Sequence, residues 1–274
     1  MRIGLIGCGR VGTAIFCILR RDNKITGVYD IRKKNERTTA KLLKIRENPG
    51  LREIISRSEA IFIATPDDEI LNAFANISRH IRKRTYIFHF SGMLTADIIP
   101  KSKKIYRASV HPFATFPAAK SHPKRKHIFL SVEGDAPAVK MLRKIFRSKH
   151  FTIRKIRKVD KAAYHLIGVF SSNLLIGLIA SIDRLAAKIG WRRSDFERMI
   201  FPLIEETLHN IKKYGVQDAL TGPLARGDVG IIRKHLSSLK HERTLRNVYK
   251  ALSRAVAENI ADAEVNLKLK KVLH

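Results

Sequence analysis

Acidic residues and cysteines are both scarce in this chain. Its 274 residues include 24 Asp and Glu against 54 Lys and Arg, so the formal net charge is +30. Cys8 and Cys17 are its two cysteines, too few for a disulfide framework or a cysteine-based metal cluster. A small disulfide-stabilised secreted domain is therefore excluded, and we expect a protein of the reducing cytoplasm.

The positive charge is not accompanied by a nucleic-acid-binding motif. A field of this sign steers anionic ligands and attracts nucleic acids without specificity. The basic residues are scattered, with denser runs at 79–84, 120–126 and 143–158. The sequence shows no zinc-finger spacing, no aromatic RNA-binding strand and no basic zipper, so we expect no dedicated nucleic-acid site.

A signal peptide and a membrane span are not expected either. A strand pattern begins at Ile3, and Arg10 interrupts the first apolar run. The segment from Ala162 to Ile182 contains no Asp, Glu, Lys or Arg and is long enough to span a bilayer. Because polar residues such as His165 and Asn173 lie within it, we expect a central core helix or a dimer helix of a domain outside the membrane.

The first thirty residues have the pattern of a dinucleotide site. An apolar run (3–6) precedes Gly7-Cys8-Gly9-Arg10-Val11-Gly12, a helix pattern (13–21) and a second apolar run (25–29) that ends at Asp30. In such a unit Gly7 permits the tight turn, Gly9 lets the backbone approach a pyrophosphate, and Gly12 lets the helix pack closely on the strand. The helix start, with Arg10 and Val11, then directs its amides at the phosphates.

The residues after the second apolar run leave the cofactor open between NAD and NADP. Asp30 is placed to accept hydrogen bonds from the adenosine ribose, which favours NAD. Arg32, Lys33 and Lys34 follow it, and a guanidinium or ammonium there could pair with a 2′-phosphate. The basic residues shift the expectation slightly towards NADP.

Apolar runs that alternate with helical patterns predict a doubly wound parallel sheet. Strands are predicted at 60–64, 86–90, 105–110, 127–132 and 151–156, with a helix at 136–147. From Val159 onward the pattern is helical, with helices predicted at 161–188, 193–214, 229–240 and 242–271. The fold class is therefore α/β, with a dinucleotide-binding domain at 1–157 and an all-helical substrate and dimerisation domain at 158–274.

Five groups of residues carry a resemblance to a known superfamily. They are Ala64-Thr65-Pro66-Asp67-Asp68, His89-Phe90-Ser91-Gly92, His111-Pro112-Phe113 with Thr115-Phe116-Pro117, Tyr164-His165 with Ser172-Asn173, and Thr221-Gly222-Pro223 with Arg226-Gly227-Asp228. With the glycine turn, they resemble the 6-phosphogluconate-dehydrogenase-like superfamily, which includes prephenate and arogenate dehydrogenases, pyrroline-5-carboxylate reductases and deazaflavin-dependent NADP oxidoreductases. The resemblance is to Rossmann-like NAD(P) oxidoreductases with a C-terminal helical domain, and we assign Thr65 and Pro66 to the cofactor site.

The ends of two predicted strands offer catalytic candidates. Ser91 and His111 resemble the Ser and His-Pro positions of prephenate dehydrogenases. At the edge where such sheets bind ligands, His111 could donate a proton as hydride arrives or accept one in the oxidative direction. Ser91 could orient that imidazole. The structural alternatives are a histidine that caps its strand and a serine that caps a helix before Leu94.

The first long helix carries a polar stripe. Lys161, His165, Gly168 and Ser172 share one face at 3.6 residues per turn, with Asn173 on its flank. The stripe could line the cleft and stabilise oxyanion charge, or it could be satisfied core polarity. The β-hydroxyacid dehydrogenases have Lys followed four residues later by Asn, but here His165 follows Lys161. That mechanism is therefore not transferred, and Tyr164 is expected to pack.

The remaining polar candidates concern the substrate and a metal. Arg226 could clamp a substrate carboxylate, with Asn173 as a second substrate contact, while Asp228 is expected to cap the helix that begins at Val229. We assign no metal, since three histidines lack partners at useful spacing, namely His89, His122 and His127.

The sequence thus predicts an NAD(P)-dependent oxidoreductase of a small anionic keto, hydroxy or imino acid. A cofactor-binding sensor without turnover is the first alternative, and a nucleic-acid-associated basic protein is the second. The long apolar helix predicts a homodimer formed through the helical domain.

Overall fold

The computed structural model of the chain describes residues 1–116 and 127–273. Pro117, His122 and the basic run at 120–126 lie outside these residues. Within the described part, seven strands form one sheet in the order β2-β1-β3-β4-β5-β6-β7. The strands are β1 (Arg2–Ile6), β2 (Lys24–Tyr29), β3 (Ala60–Ile63), β4 (Thr85–His89), β5 (Ile105–Pro112), β6 (Ile128–Gly134) and β7 (Phe151–Lys155).

The predicted fold class is confirmed, with one correction to the sheet. The strands from β1 to β5 pair in parallel, and so do β6 and β7. The β5–β6 pair is antiparallel, so the sheet is mixed and not wholly parallel. The prediction rested on buried apolar runs, which identify strands but carry no information on their direction. Direction depends on the connection between two strands, because an antiparallel neighbour needs no crossover helix.

The chain divides into two compact units, Met1–Ser172 and Asn173–His274. The helices of the first unit are α1 (Arg10–Leu19), α2 (Lys33–Leu42), α3 (Leu51–Arg57), α4 (Ile70–Ser78), α5 (Ala136–Ile145) and α6 (Lys161–Gly168). The division falls after the predicted boundary at residue 157, because α6 is bonded to the sheet through Lys161 and Tyr164. The assignment of 158–274 to a substrate and dimerisation domain stays a prediction.

An aromatic cluster lies at the centre of the first unit. Phe62 on the wholly buried β3 has its ring centroid 5.5 Å from Phe16, 4.9 Å from Phe88, 5.5 Å from Phe90 and 6.0 Å from Phe146. A strand buried on both faces reads as a continuous apolar run, which is why the sequence locates β3 well. The cluster fixes α1 and α5 on one face of the sheet and so fixes the strand ends around them.

The second unit consists of helices, as predicted. They are α7 (Leu175–Lys188), α8 (Arg193–Asp218), α9 (Pro223–Arg226), α10 (Val229–Ser238), α11 (Arg243–Asn259) and α12 (Ala263–Leu273). The prediction of a single helix at 242–271 is wrong, because the helix ends at Asn259 and Asp262 starts a new one. The Asp262 carboxylate accepts a hydrogen bond from the Val265 amide at 2.8 Å, the geometry of an N-cap.

The predicted helix at 161–188 is also not one regular α-helix. A π-helical turn, Val169–Leu174, lies between α6 and α7. A π turn has i→i+5 hydrogen bonds and changes the helical phase. Positions beyond Gly168 therefore do not follow the 3.6-residue spacing from which the polar stripe was predicted.

The apolar segment around this turn is exposed. The helix at 158–188 is long and apolar enough to cross a membrane by length and composition only, and none of its most apolar window is buried. Leu166, Ile167, Phe170, Leu174 and Ile176 are all more than half exposed. The expectation of a central core helix is therefore wrong for the described residues, while the dimer helix stays a prediction.

Candidate functional site

Two glycines of the first turn are required by packing. Gly7 has φ +92°, donates its N–H to the Tyr29 carbonyl at 2.8 Å, and would place a Cβ 2.7 Å from the Ala64 carbonyl carbon. A Cβ on Gly12 would lie 2.7 Å from the Ala64 Cβ and 2.8 Å from the Gly7 oxygen. Both distances are shorter than real Cβ contacts, so only glycine fits and α1 lies close against the strands.

Gly9 differs from its two neighbours in the motif. Its backbone is extended (φ −74°, ψ −175°), which other residues adopt readily, and a Cβ there would contact only the Ala64 oxygen at 3.8 Å. The folded chain therefore does not itself require glycine at this position. Gly9 is the N-cap residue of α1, and Arg10 and Val11 follow in its first turn. The amides of that turn are available to an anion.

A cleft of about 450 Å³ opens beside this turn, and we call it the cofactor cleft. Its lining includes the predicted cofactor residues Gly7, Gly9, Asp30, Arg32, Thr65 and Pro66. The Thr65 hydroxyl oxygen is buried without a hydrogen-bond partner among the described residues. An open glycine, uncapped helix amides and an unpaired hydroxyl suit the phosphates and ribose of a dinucleotide.

Asp30 organises one end of this cleft. One carboxylate oxygen accepts the Cys8 amide at 2.7 Å and the other accepts the Arg32 amide at 2.7 Å. Lys33 pairs with Glu36 at 3.1 Å, and Glu36 also accepts the Asp30 amide. Arg32 therefore remains the basic residue of this loop that lines the cleft. Sequence reasoning missed Glu36, although an acidic residue three positions after Lys33 is the usual spacing of a helical ion pair.

A row of buried polar side chains crosses three neighbouring strands. His89 on β4 lies opposite Ser109 on β5, which lies opposite Glu133 on β6. All three are almost fully buried, and we call them the polar row. Ser109 and Glu133 were missed, because their proximity follows from the β5–β6 register and not from sequence spacing.

Lys161 of α6 lies against the polar row. Its ammonium donates to the Ser109 hydroxyl at 2.6 Å and to the Ser91 carbonyl at 3.4 Å, and the residue is 2% exposed. Burial lowers its pKa from 10.5 to about 8, against the opposing charges of Glu133 and Asp67. The group is therefore a cation at neutral pH that loses its proton under mildly alkaline conditions.

His111 lies near Lys161, on the face of β5 that also carries Ser109. Its Nδ1 is 3.0 Å from the Tyr164 hydroxyl, and its ring centroid is 6.4 Å from that of His165. Burial, followed by the electrostatic effects of Lys161 and His165, lowers the pKa of His111 to about 4. The imidazole is therefore neutral at neutral pH. We call Lys161, Ser109, His111, Tyr164 and His165 the Lys161 cluster.

The expectation that Tyr164 merely packs is wrong. Besides its hydrogen bond to His111, its ring lies 5.5 Å from that of Phe113. A residue three positions after Lys161 lies only about 60° from it around a helix, so Tyr164 borders the stripe on the face that packs on β5. This angular distance was available from the sequence, but the stripe was drawn too narrowly.

Gly92 makes room inside the Lys161 cluster. A Cβ there would lie 2.9 Å from the His165 ring and 3.0 Å from the His111 Nε2 atom. On the other side, a Cβ on Gly168 would lie 3.3 Å from the Phe113 ring. The absence of a side chain at the two glycines therefore lets the His165, His111 and Phe113 rings pack directly against the backbone.

The Ser91 carbonyl contacts the Lys161 cluster, while the Ser91 hydroxyl makes its hydrogen bonds elsewhere. Its hydroxyl donates to Asp67 at 2.6 Å and accepts the Leu94 amide at 2.9 Å. The Ser91 hydroxyl thus caps a turn and not the expected helix, because the next helical turn begins at Ala96. Tyr164, not Ser91, bonds the His111 ring. A catalytic role for Ser91 stays a prediction.

In the second unit, Arg226 has a partner within its own loop. Its Nε and Nη2 atoms bind one oxygen of Asp228 at 2.9 and 2.8 Å. Asp228 is the N-cap residue of α10, as expected, although its side chain makes no capping hydrogen bond among the described residues. The ion pair with Arg226 engages the Asp228 carboxylate, which would otherwise be available to the helix amides. Asn173 is exposed at the start of this unit.

No group of three His, Cys, Asp or Glu side chains in residues 1–116 and 127–273 is placed to hold a metal ion. In particular, His89 hydrogen-bonds the Thr95 carbonyl at 3.2 Å and His127 hydrogen-bonds Thr152 at 2.6 Å. Both ring nitrogens of His127 are thus engaged by protein groups, while the Nδ1 atom of His89 is buried without a hydrogen-bond partner among the described residues.

Two family models match the chain. Residues 1–115 match the Rossmann-like domain, and residues 128–256 match a domain of unknown function, DUF2520. No curated protein matches the sequence.

Solved structures with the same fold cover nearly the whole chain. A candidate NADP oxidoreductase from Bacteroides fragilis is 22% identical with a TM-score of 0.79, covering 94% of this chain and 98% of its own. Pyrroline carboxylate reductase of Plasmodium falciparum, solved with NADP bound, is 17% identical with a TM-score of 0.61, covering 100% and 98%. The 1-pyrroline-5-carboxylate reductase of Streptococcus pyogenes is 11% identical with a TM-score of 0.65, covering 100% and 98%. At these identities the likeness shows the fold alone.

The two buried histidines should remain neutral well below their ordinary pKa of 6.5. Burial, then the charge of Lys161, lowers the pKa of His89 to about 3, and that of His111 falls to about 4. The unfolded chain therefore binds more protons below pH 6.5, so the free energy of unfolding should fall as the pH drops towards 4. Ring ¹⁵N chemical shifts, assigned with His111→Asn, test this. Protonation of His111 near pH 6.5 in the folded protein would contradict it.

Proposed function

We propose that this chain, which joins a Rossmann-like domain to a DUF2520 domain, is an NAD(P)-dependent oxidoreductase that transfers hydride to or from a small anionic keto, hydroxy or imino acid. The hydrogen bond from Ser91 to Asp67, 2.6 Å long, carries the proposal. Asp67 directly follows Thr65 and Pro66 of the cofactor cleft, and the Ser91 carbonyl accepts a hydrogen bond from Lys161. The cofactor cleft and the cluster thus meet at the carboxyl edge of one sheet, where ligands bind in such folds.

The residues of the cofactor cleft divide the dinucleotide between them. Gly9, Arg10 and Val11 would face the pyrophosphate, while Asp30 and Arg32 would face the adenosine ribose. When bound, the nicotinamide supplies or accepts the hydride. Because Lys33 is paired with Glu36, Arg32 is the residue we propose for a 2′-phosphate, and hence for a preference for NADPH.

The protonation states of His111 and Lys161 suggest a different chemical role for each. Neutral His111 suits a base for the substrate hydroxyl in oxidation, or a neutral hydrogen-bond donor to the carbonyl in reduction. The Lys161 cation beneath it would stabilise negative charge that develops on the same oxygen. His165 would close the other side, and Arg226 and Asn173 are proposed contacts for the substrate.

We also propose a homodimer through the helical domain and a cytoplasmic location. The exposed apolar residues of the π turn and α7 support the dimer, since monomeric proteins rarely expose such a surface. Cys8 and Cys17 are buried free thiols, as expected in a reducing compartment.

Replacing Gly9 should abolish cofactor binding without unfolding the protein. In Gly9→Ala the added methyl group fits the fold but occupies the path of the pyrophosphate, so affinity for NADPH and NADH should fall at least about tenfold. Gly50→Ala is the matched control, because Gly50 is also an extended N-cap glycine, with open space around its position. Calorimetry with both cofactors measures the effect. Unchanged binding in Gly9→Ala would exclude this cleft.

The same titrations test the cofactor preference. Arg32→Ala should weaken NADPH far more than NADH, while Lys33→Ala, which removes a lysine already paired with Glu36, should affect both little. Equal losses for both cofactors in Arg32→Ala, or a wild-type preference for NADH, would remove the NADP assignment.

His111→Asn should reduce turnover without changing cofactor affinity. The loss of a catalytic base or donor typically lowers kcat by about 10²–10⁴-fold. His127→Asn, at an exposed histidine, is the control. Steady-state rates of NAD(P)H oxidation and NAD(P)⁺ reduction with a panel of small keto, imino and hydroxy acids provide the measurement, and Arg226→Ala in the same assay should chiefly raise KM. Tight cofactor binding without turnover of any acid would favour the sensor alternative.

A charge on the apolar surface of α7 should dissociate the dimer. Ile176 is 65% exposed, so Ile176→Asp would place a carboxylate in the proposed interface. Leu71→Asp introduces the same charge at an exposed leucine of α4 and is the control. Light scattering at micromolar concentration and moderate salt should give a dimer for wild type and control and a monomer for Ile176→Asp. A monomeric wild-type protein would refute the dimer.

A further inference from the structure

The polar row contains a carboxylate, Glu133, for which the proposed reaction has no assigned role. Glu133 is 3% exposed and lies directly opposite Ser109 in the β5–β6 ladder. The Ser109 hydroxyl accepts a hydrogen bond from the Lys161 ammonium at 2.6 Å. A buried carboxylate is unfavourable unless it is hydrogen-bonded and lies near a positive charge.

One oxygen of Glu133 is fixed and the other is not. Oε2 accepts the Ala96 amide at 2.7 Å, which holds the side chain in place. Oε1 is buried and has no hydrogen-bond partner among the described residues. The carboxylate is therefore held by one hydrogen bond only, and it acts through space on Lys161 and also on the exposed Lys158.

The other groups around Lys161 cannot replace this charge. On β4, His89 donates from Nε2 to the Thr95 carbonyl and is neutral, since burial lowers its pKa to about 3. On β5, His111 is neutral for the same reason, and Ser109 carries no charge. Asp67, beyond β3, is negative but exposed, so water screens its effect on Lys161.

We infer that Glu133 is a positioning residue that holds Lys161 as an ammonium ion against Ser109 and thereby sets the alkaline limit of the enzyme. The inference rests on the proposed function for its kinetic consequence, but not for its electrostatic one. In this arrangement Glu133 touches no substrate. It acts through the Lys161 cation, which is held in place by its hydrogen bonds to Ser109 and the Ser91 carbonyl.

Glu133→Gln separates charge from shape. Glutamine has the same size, and its amide oxygen can still accept the Ala96 N–H, so the fold should persist. Removal of the charge should lower the pKa of Lys161 by about one unit or more, the usual effect of losing a nearby opposite charge in a buried site. The alkaline limb of kcat/KM against pH should move to lower pH by the same amount.

The first measurement needs no turnover. The protein is labelled with ¹³C-lysine, the Lys161 signal is identified by its loss in Lys161→Gln, and its titration is followed in wild type and Glu133→Gln. Glu59→Gln is the control, because it removes one negative charge from an exposed glutamate paired with Arg2. We expect a shifted titration in Glu133→Gln and none in Glu59→Gln. Identical titrations in all three proteins would overturn the inference.

A further variant distinguishes charge from packing. Glu133→Asp keeps the charge but shortens the side chain, so Lys161 should titrate near its wild-type value. A shift as large as that of Glu133→Gln would overturn the electrostatic role. If Glu133→Gln does not fold, Glu133→Asp is compared with Asp67→Asn to show which carboxylate controls the pKa of Lys161. A larger shift of that pKa in Asp67→Asn would count against Glu133. Absence of any turnover would defeat the proposed function and leave the Lys161 titration as a separate result.

Discussion

The burial of one ammonium group, that of Lys161, constrains much of the first unit. A cation without water needs acceptors, and the ends of β4 and β5 supply them as the Ser91 carbonyl and the Ser109 hydroxyl. To meet these acceptors, α6 must pack on the sheet at one height and one rotation. That rotation brings both Tyr164 and His165 to the His111 ring. The geometry of the candidate site thus follows from the solvation of one charge.

A hydrogen bond between two loops gives the cofactor cleft and the Lys161 cluster a common frame. Asp67 and Ser91 lie on neighbouring strand ends, and their bond means that neither loop can shift without the other. For efficient transfer, a hydride acceptor must be held within about 0.5 Å of its productive position relative to the donor. Rigid coupling of the loops that would hold the two is therefore as relevant to the proposed chemistry as any single catalytic group.

The sequence was most informative where function depends on local geometry. Gly7 and Gly12 could be assigned because a tight turn and a close helix each require glycine at a fixed spacing, and β3 because strands buried on both faces are continuously apolar. The partners of Lys161 could not be assigned, since Ser109 and Glu133 meet only through the pairing of β5 with an antiparallel β6. Likewise, the π turn and the pair of Arg226 with its neighbouring aspartate arise from competition between hydrogen bonds, which periodicity does not encode.

The uncapped start of α1 has a consequence for the protein before it meets a ligand. A serine or aspartate at position 9 would accept hydrogen bonds from the same amides that Gly9 leaves available. N-caps of this kind typically stabilise a helix by about 0.5–2 kcal/mol relative to alanine, but only by roughly a few tenths of a kcal/mol relative to glycine. Glycine forgoes part of that gain. The first helix is thus left incompletely satisfied, and an anion that docks there completes it. Binding and folding are linked at this point, so improving the stability of the empty protein at position 9 would work against its ligand.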